Sequence, residues 1–180
     1  VLTFQLPAAS GRSRITAVRS VGTLPQRPNC FIIGFQLTAA PVDAKLRSDM
    51  REVLHRDRQK IRKLELRKVT LDERTFEVIG QLTNLEQLTL SETNLQDRDV
   101  PVLRGLKQLR HADLSATDLS DAALGDLIEA CNNLERLRSI DLRRTKISQA
   151  TARALEAELE GREAAAKVIF QKQLQDVDTP

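Results

Sequence analysis

An α/β solenoid is the fold this sequence predicts, with a parallel sheet on its concave face and helices or short turns on its convex face. Three observations predict it. An apolar pattern recurs at near-constant spacing, a threonine recurs at one fixed place in that pattern, and the stretches between carry helix signals. The chain has 180 residues, 41% of them apolar and 29% charged, enough for one domain with a real core.

Four segments align as LxxLxLxxTxL. The first holds Ile61, Leu64, Leu66, Val69 and Leu71, and the second Leu85, Leu88, Leu90, Thr93 and Leu95. The third holds Leu109, Ala112, Leu114, Thr117 and Leu119, and the fourth Leu137, Ile140, Leu142, Thr145 and Ile147. Their starts lie 24, 24 and 28 residues apart. All sixteen leucine-type positions are apolar. At this composition chance gives that at roughly one in a million for a fixed register, so the repeat is real. An earlier copy runs Ile32, Phe35, Leu37, Ala40, Val42, and a later one begins at Ala165, Val168 and Phe170. Phe4 to Ala9 echoes Phe35 to Ala40 as the trace of one more.

The second and third leucines of each copy are two residues apart, so on a strand they face the same way. One copy cannot hide that face alone, but a stack of copies can. The threonines fall where the chain leaves the strand, and a hydroxyl there can donate to a carbonyl in the bend.

The pattern resembles the leucine-rich-repeat family over about Ile32 to Phe170. Leu90-Ser91-Glu92-Thr93-Asn94-Leu95 and Leu114-Ser115-Ala116-Thr117-Asp118-Leu119 are similar to its Thr-bearing bacterial type, and Ala130-Cys131-Asn132-Asn133-Leu134 to its Cys-containing type. Val69 and Ala40 depart from it, since neither side chain can hydrogen-bond. The resemblance implies that the solenoid is a right-handed α/β horseshoe with a role in binding other proteins.

The returns between copies read as helices or turns. Asp43 caps a helix with Leu46, Met50, Val53 and Leu54 on one face. Asp72 to Gly80 forms a shorter return, and a single turn ending before Gly105 forms the next, with Pro101 near its start. Ser120 precedes Leu124, Leu127, Ile128 and Cys131. Ser148 precedes Ala152, Leu155 and Leu159, with Gly161 as a stop. The expected organisation is a single domain. Residues 1–31 form an N-terminal cap or degenerate first coil, with Pro25 and Pro28 in a loop. Residues 32–170 form the solenoid, with coils starting near 32, 61, 85, 109, 137 and 165, and residues 171–180 form a polar tail.

Between the leucines, side chains are expected to face solvent on the concave side. The candidate contacts there are Arg67, Lys68, Glu92, His111, Asp113, Asp141, Arg143 and Arg144. They stand among Gln36, Glu65, Thr89 and Ile169 in the central row, with Ser91 and Ser115 beside it. The four aligned copies put no Trp, Tyr or Phe on this surface, so arginine is the expected anchor type. The plainer reading of Glu65 with Arg67, or Asp141 with Arg143, is an ion pair that keeps a sheet wetted. For His111 it is an exposed strand residue.

Charge divides along the chain. Val1 to Lys68 carries 14 Lys/Arg and 5 Asp/Glu, a net of +9, and Val69 to Pro180 carries 14 and 20, a net of −6. His55 to Lys68 holds seven Lys/Arg, among them the candidate patch Arg56, Arg58, Lys60, Arg62 and Lys63. Arg12, Arg14, Arg19 and Arg27 extend it. The patch reads either as a solvated helix end or as a site for an anionic partner. Unlike ends also predict salt-sensitive, head-to-tail self-association.

Other classes find no support. There is no phosphate loop and no nucleophile motif, and the two His and two Cys are too scattered for a zinc site. No catalytic residue, cofactor, metal or small-molecule substrate is therefore expected. Nucleic acid is disfavoured because no aromatics interleave with the basic residues. No apolar stretch is long enough to span a membrane and none has a signal-peptide plan, so a soluble chain is expected, with a lean to an intracellular one and the compartment itself left open. The chain begins at Val1 and its only methionine is Met50, as in a processed product or a piece of a longer chain. The expected function is protein–protein interaction through the polar, charged concave surface. The alternatives are a structural subunit of a larger assembly and an anion or nucleic-acid binder using the basic N-terminal half.

Overall fold

The computed structural model describes residues 14–20, 32–38, 44–160 and 166–170. Its frame is one sheet of seven strands in sequence order. They are β1 (Arg14–Ser20), β2 (Ile32–Thr38), β3 (Lys63–Arg67), β4 (Gln87–Thr89), β5 (His111–Asp113), β6 (Ser139–Asp141) and β7 (Lys167–Ile169). β1 runs antiparallel to β2, and the five pairings from β2 to β7 are all parallel.

The register follows the sequence repeat. Leu64, Leu88, Ala112, Ile140 and Val168 stand side by side, as do Glu65, Thr89, Asp113, Asp141 and Ile169. All five residues of the first row are buried, and they share one core cluster with buried residues of the intervening helices. Period-two burial on the strands and helical burial on the returns thus converge on one apolar layer.

Parallel neighbours require a crossover, and the returns supply it. Helix α1 (Ala44–Arg56) buries Met50 and Leu54, and α2 (Glu73–Gly80) buries Phe76 and Ile79. A 3-10 turn (Asp121–Ala123) leads into α3 (Leu124–Asn133), which buries Leu127 and Cys131, and α4 (Gln149–Glu160) buries Ala152, Leu155 and Leu159. Capping residues begin these returns. Asp72 accepts from the Thr75 backbone at 3.0 Å, and the Ser120 and Ser148 hydroxyls accept from Ala122 and Thr151, each at 3.3 Å.

The return between β4 and β5 differs from expectation. It is not a single turn but nine residues of 3-10 helix, Asp97–Gly105, with Pro101 at its centre. A 3-10 helix rises about 2 Å per residue against about 1.5 Å in an α-helix, so a short return crosses the same distance. Proline's fixed φ fits that conformation and sacrifices one donor.

Neighbouring turns close on one another. The threonine hydroxyls expected to reach back do so: Thr93 donates to Leu90 O, Thr117 to Leu114 O and Thr145 to Leu142 O, each at 2.7 Å. The residue before this position has positive φ every time: Lys68 at 56°, Glu92 at 57°, Ala116 at 54° and Arg144 at 58°. The amides of the first three donate to Ser91 O, Ser115 O and Arg143 O in the next turn.

Asp43, Gly161, Ala165, the echo near Phe4 and the tail 171–180 lie outside the described residues. So do Arg12 and Arg27.

Candidate functional site

On its other face the sheet carries three rows of polar and charged side chains. The first row is Lys63, Gln87, His111, Ser139 and Lys167, and the central row runs from Glu65 through Thr89, Asp113 and Asp141 to Ile169. Arg67, Ser91, Ser115 and Arg143 follow just beyond. None of the described helices packs on this face, because their apolar sides meet the leucine face.

The two aspartates use one device. Asp113 Oδ1 accepts from the Ser115 backbone at 3.1 Å and the Ser115 hydroxyl at 2.6 Å, and Asp141 Oδ1 accepts from the Arg143 backbone at 3.0 Å. Each carboxylate therefore folds over the turn that follows its own strand. Asp141 corrects the expectation of a solvent-facing contact, since it is 7% exposed. Its second oxygen and its first both accept from the Arg143 guanidinium. The group that reaches solvent is Arg143, whose side chain is 53% exposed. Its bonds to Asp141, then the charges of Asp141 and Asp113, push its pKa above the ordinary value. Asp141 thus orients the arginine, while a partner would meet the arginine itself.

Arg67 is braced similarly. It donates to the Ser91 hydroxyl at 3.0 Å and lies 3.7 Å from Asp113, two strands away. Thr89, Ser91 and Ser115 also depart from expectation. All three are buried, the two serines beneath the charged side chains they bond. His111 is exposed, as expected of a strand residue, with Nδ1 2.9 Å from the Ser139 hydroxyl. Lys68 and Glu92 pair at 3.4 Å, and with Arg144 they stand on the left-handed turn row. The structure therefore gathers the candidate contacts onto one side of the molecule and draws most of them into ion pairs with each other.

The candidate basic patch is spread over the end of α1, the next turn and β3, and it is largely compensated. Arg56 and Lys60 both pair with Asp57, at 3.0 and 3.4 Å, and Lys63 pairs with Glu65 at 2.6 Å. Arg62 donates to Asn84 O at 3.1 Å and lies 4.0 Å from Glu86, while Arg58 donates to His55 O at 2.9 Å. Side chains of Arg14 and Arg19 lie outside what is described.

Several structuring residues lay beyond the sequence reading. The Asn94 amide accepts from Leu71 N at 2.7 Å and donates to Leu71 O at 3.0 Å, closing the turn where Val69 has no hydroxyl. Asp97 accepts from Ser120 N at 2.8 Å, and Asp121 from Ser148 N at 2.6 Å. Asx residues one or four positions after the threonines were the only signal of these bonds. Among the described residues, no group of three His, Cys, Asp or Glu side chains is placed to hold a metal, and no helix is long and apolar enough to cross a membrane. No family model matches the chain, and comparison with curated proteins finds no match.

Proposed function

We propose that the chain is a leucine-rich-repeat solenoid that binds another protein through the polar face of its sheet. The strand-and-return alternation supports the solenoid, together with the turn closure repeated at Thr93, Thr117 and Thr145. One observation carries the binding role: exposed arginines on this face are held by neighbours before any partner arrives. Arg143 is gripped by Asp141 and Arg67 by Ser91. An arginine already fixed in place loses less side-chain freedom on binding, and arginine is a frequent hot-spot residue.

The test is affinity capture with Arg67→Ala, Gln87→Ala, His111→Ala and Arg143→Ala combined, beside the unaltered chain. Asp113 and Asp141 are left intact because they fold the turns. The reading expects a stoichiometric protein partner that is lost from the altered chain while circular dichroism stays the same. The same protein retained at equal yield overturns it.

A further inference from the structure

Charge divides across the sheet as well as along the chain. The rim that leads into the strands comprises residues 57–63, 81–87, 105–111 and 133–139, with Lys167. It holds nine Lys/Arg against three Asp/Glu, a net of +6. The rim that leaves the strands, residues 68–73, 92–97, 116–121 and 144–149, holds three against six, a net of −3.

Compensation on the basic rim stops partway. Up to β4 the signs alternate, with Glu86 lying 4.0 Å from Arg62 and 3.8 Å from Arg110. Beyond it Arg110 is followed by Arg138 and then Lys167. Their backbones are directly joined, since Arg138 N donates to Arg110 O and Lys167 N to Arg138 O, each at 2.8 Å. Lys107 and Arg136 flank this line from the adjoining turns. Lys107, Arg136, Arg138 and Lys167 are all exposed, and none has an ion pair or side-chain hydrogen bond among the described residues. Glu135 is the single acid on this stretch. Like charges set side by side across strands oppose folding, so the cluster is best satisfied by anions from outside.

We propose that this stretch of rim, carried by Lys107, Arg110, Arg136, Arg138 and Lys167, binds an acidic polypeptide segment. Its dimensions favour a peptide. Neighbouring strands are about 4.8 Å apart, so three of them span roughly 10 Å, and an extended peptide places same-side carboxylates about 7 Å apart. Long arginine and lysine side chains bridge that difference. The rim carries no Phe, Tyr or Trp on which bases could stack, and its one imidazole, His111, lies 2.9 Å from the Ser139 hydroxyl. The site borders the polar sheet face and shares Lys167 with its first row, so the two readings are told apart by substitutions at Arg136 and Arg138, which lie outside the three rows of that face.

The experiment is fluorescence anisotropy of a labelled oligoglutamate peptide with the full chain, at low and raised salt, with oligouridylate as competitor. Binding is expected at low salt, weakening as salt rises. Arg136→Glu with Arg138→Glu is expected to weaken it by about tenfold or more, and the Gln pair by less, in step with the charge removed. Arg56→Glu with Lys60→Glu, and Arg67→Ala with Arg143→Ala on the sheet face, are expected to bind as the unaltered chain does. Circular dichroism checks that each variant is folded, and the Gln pair decides if the Glu pair is not. No binding, equal loss in the Arg56 and Arg136 variants, or tighter binding of oligouridylate than of oligoglutamate would overturn the proposal.

Discussion

A β-carbon built on Gly105 would lie 2.2 Å from the carbonyl oxygen of Gly80. The two backbones meet where successive returns pass, and only glycine permits that approach. Gly105→Ala must therefore move backbone, at a cost of roughly 1–3 kcal/mol. Gly125, early in α3, has nothing within 4 Å of such a carbon. Gly125→Ala should stabilise by up to about 1 kcal/mol through helix propensity. Urea midpoints at unchanged m-value separate the two, and destabilisation of equal size would refute the contact.

The positive-φ row gives a second prediction. Ala116 sits at φ 54°, where a β-carbon crowds the following carbonyl. Ala116→Gly should raise stability by up to about 1 kcal/mol, the relief exceeding the added freedom of the unfolded chain. A loss in thermal unfolding would show that the Ala116 methyl contributes packing instead.

The threonine closures should differ in weight. Thr117 is buried and Thr145 is half-buried, yet both donate at 2.7 Å. Thr117→Val keeps the shape, as Val69 demonstrates in the same place, and strands the Leu114 carbonyl at about 1–3 kcal/mol. Thr145→Val should cost less because water can reach the Leu142 carbonyl. Calorimetry on both variants tests the order.

Acid should act through Asp72. Burial pushes its carboxyl up, but bonds from Thr75 and Arg51 outweigh burial and hold it below the ordinary value of 3.8. The Arg51 bond is 2.6 Å long. A lowered carboxyl contributes stability that is present above 3.8 and lost as pH falls through the lower folded value. Asp72→Asn keeps a capping oxygen and should flatten stability against pH below that point. An unchanged acid limb would place the sensitivity elsewhere, with Asp121 next. Its bonds from Ser148 and Thr151 lower it in the same direction.

The strand positions, the buried leucines and the threonine bonds were legible in the sequence because each repeats at fixed spacing and follows from local geometry. The Ser120 and Ser148 caps were legible for the same reason. Asp141 was misread because alternation along a strand says which face a side chain leaves from. It does not say whether the side chain then bends over its own turn. The left-handed row was hidden because Lys, Glu, Ala and Arg are not residues that announce positive φ. Asn94 was hidden because its partner, Leu71, is 23 residues away. Cations are densest in sequence at Arg56 to Lys63, which marks that segment as the basic patch. Density there comes with Asp57, Glu65 and Glu86 close in space, whereas Lys107, Arg138 and Lys167 are brought together only by strand register.

Many of the polar bonds that close a turn are made with an adjacent turn rather than within it. Lys68 depends on Ser91, Leu71 on Asn94, Ser120 on Asp97 and Ser148 on Asp121. Such a chain melts inward from its extremities, because an interior layer can open only by breaking two seams at once. Protons on the Leu90 and Leu114 amides, each locked to the strand ahead, should be the last to exchange with solvent, and those of β7 among the first.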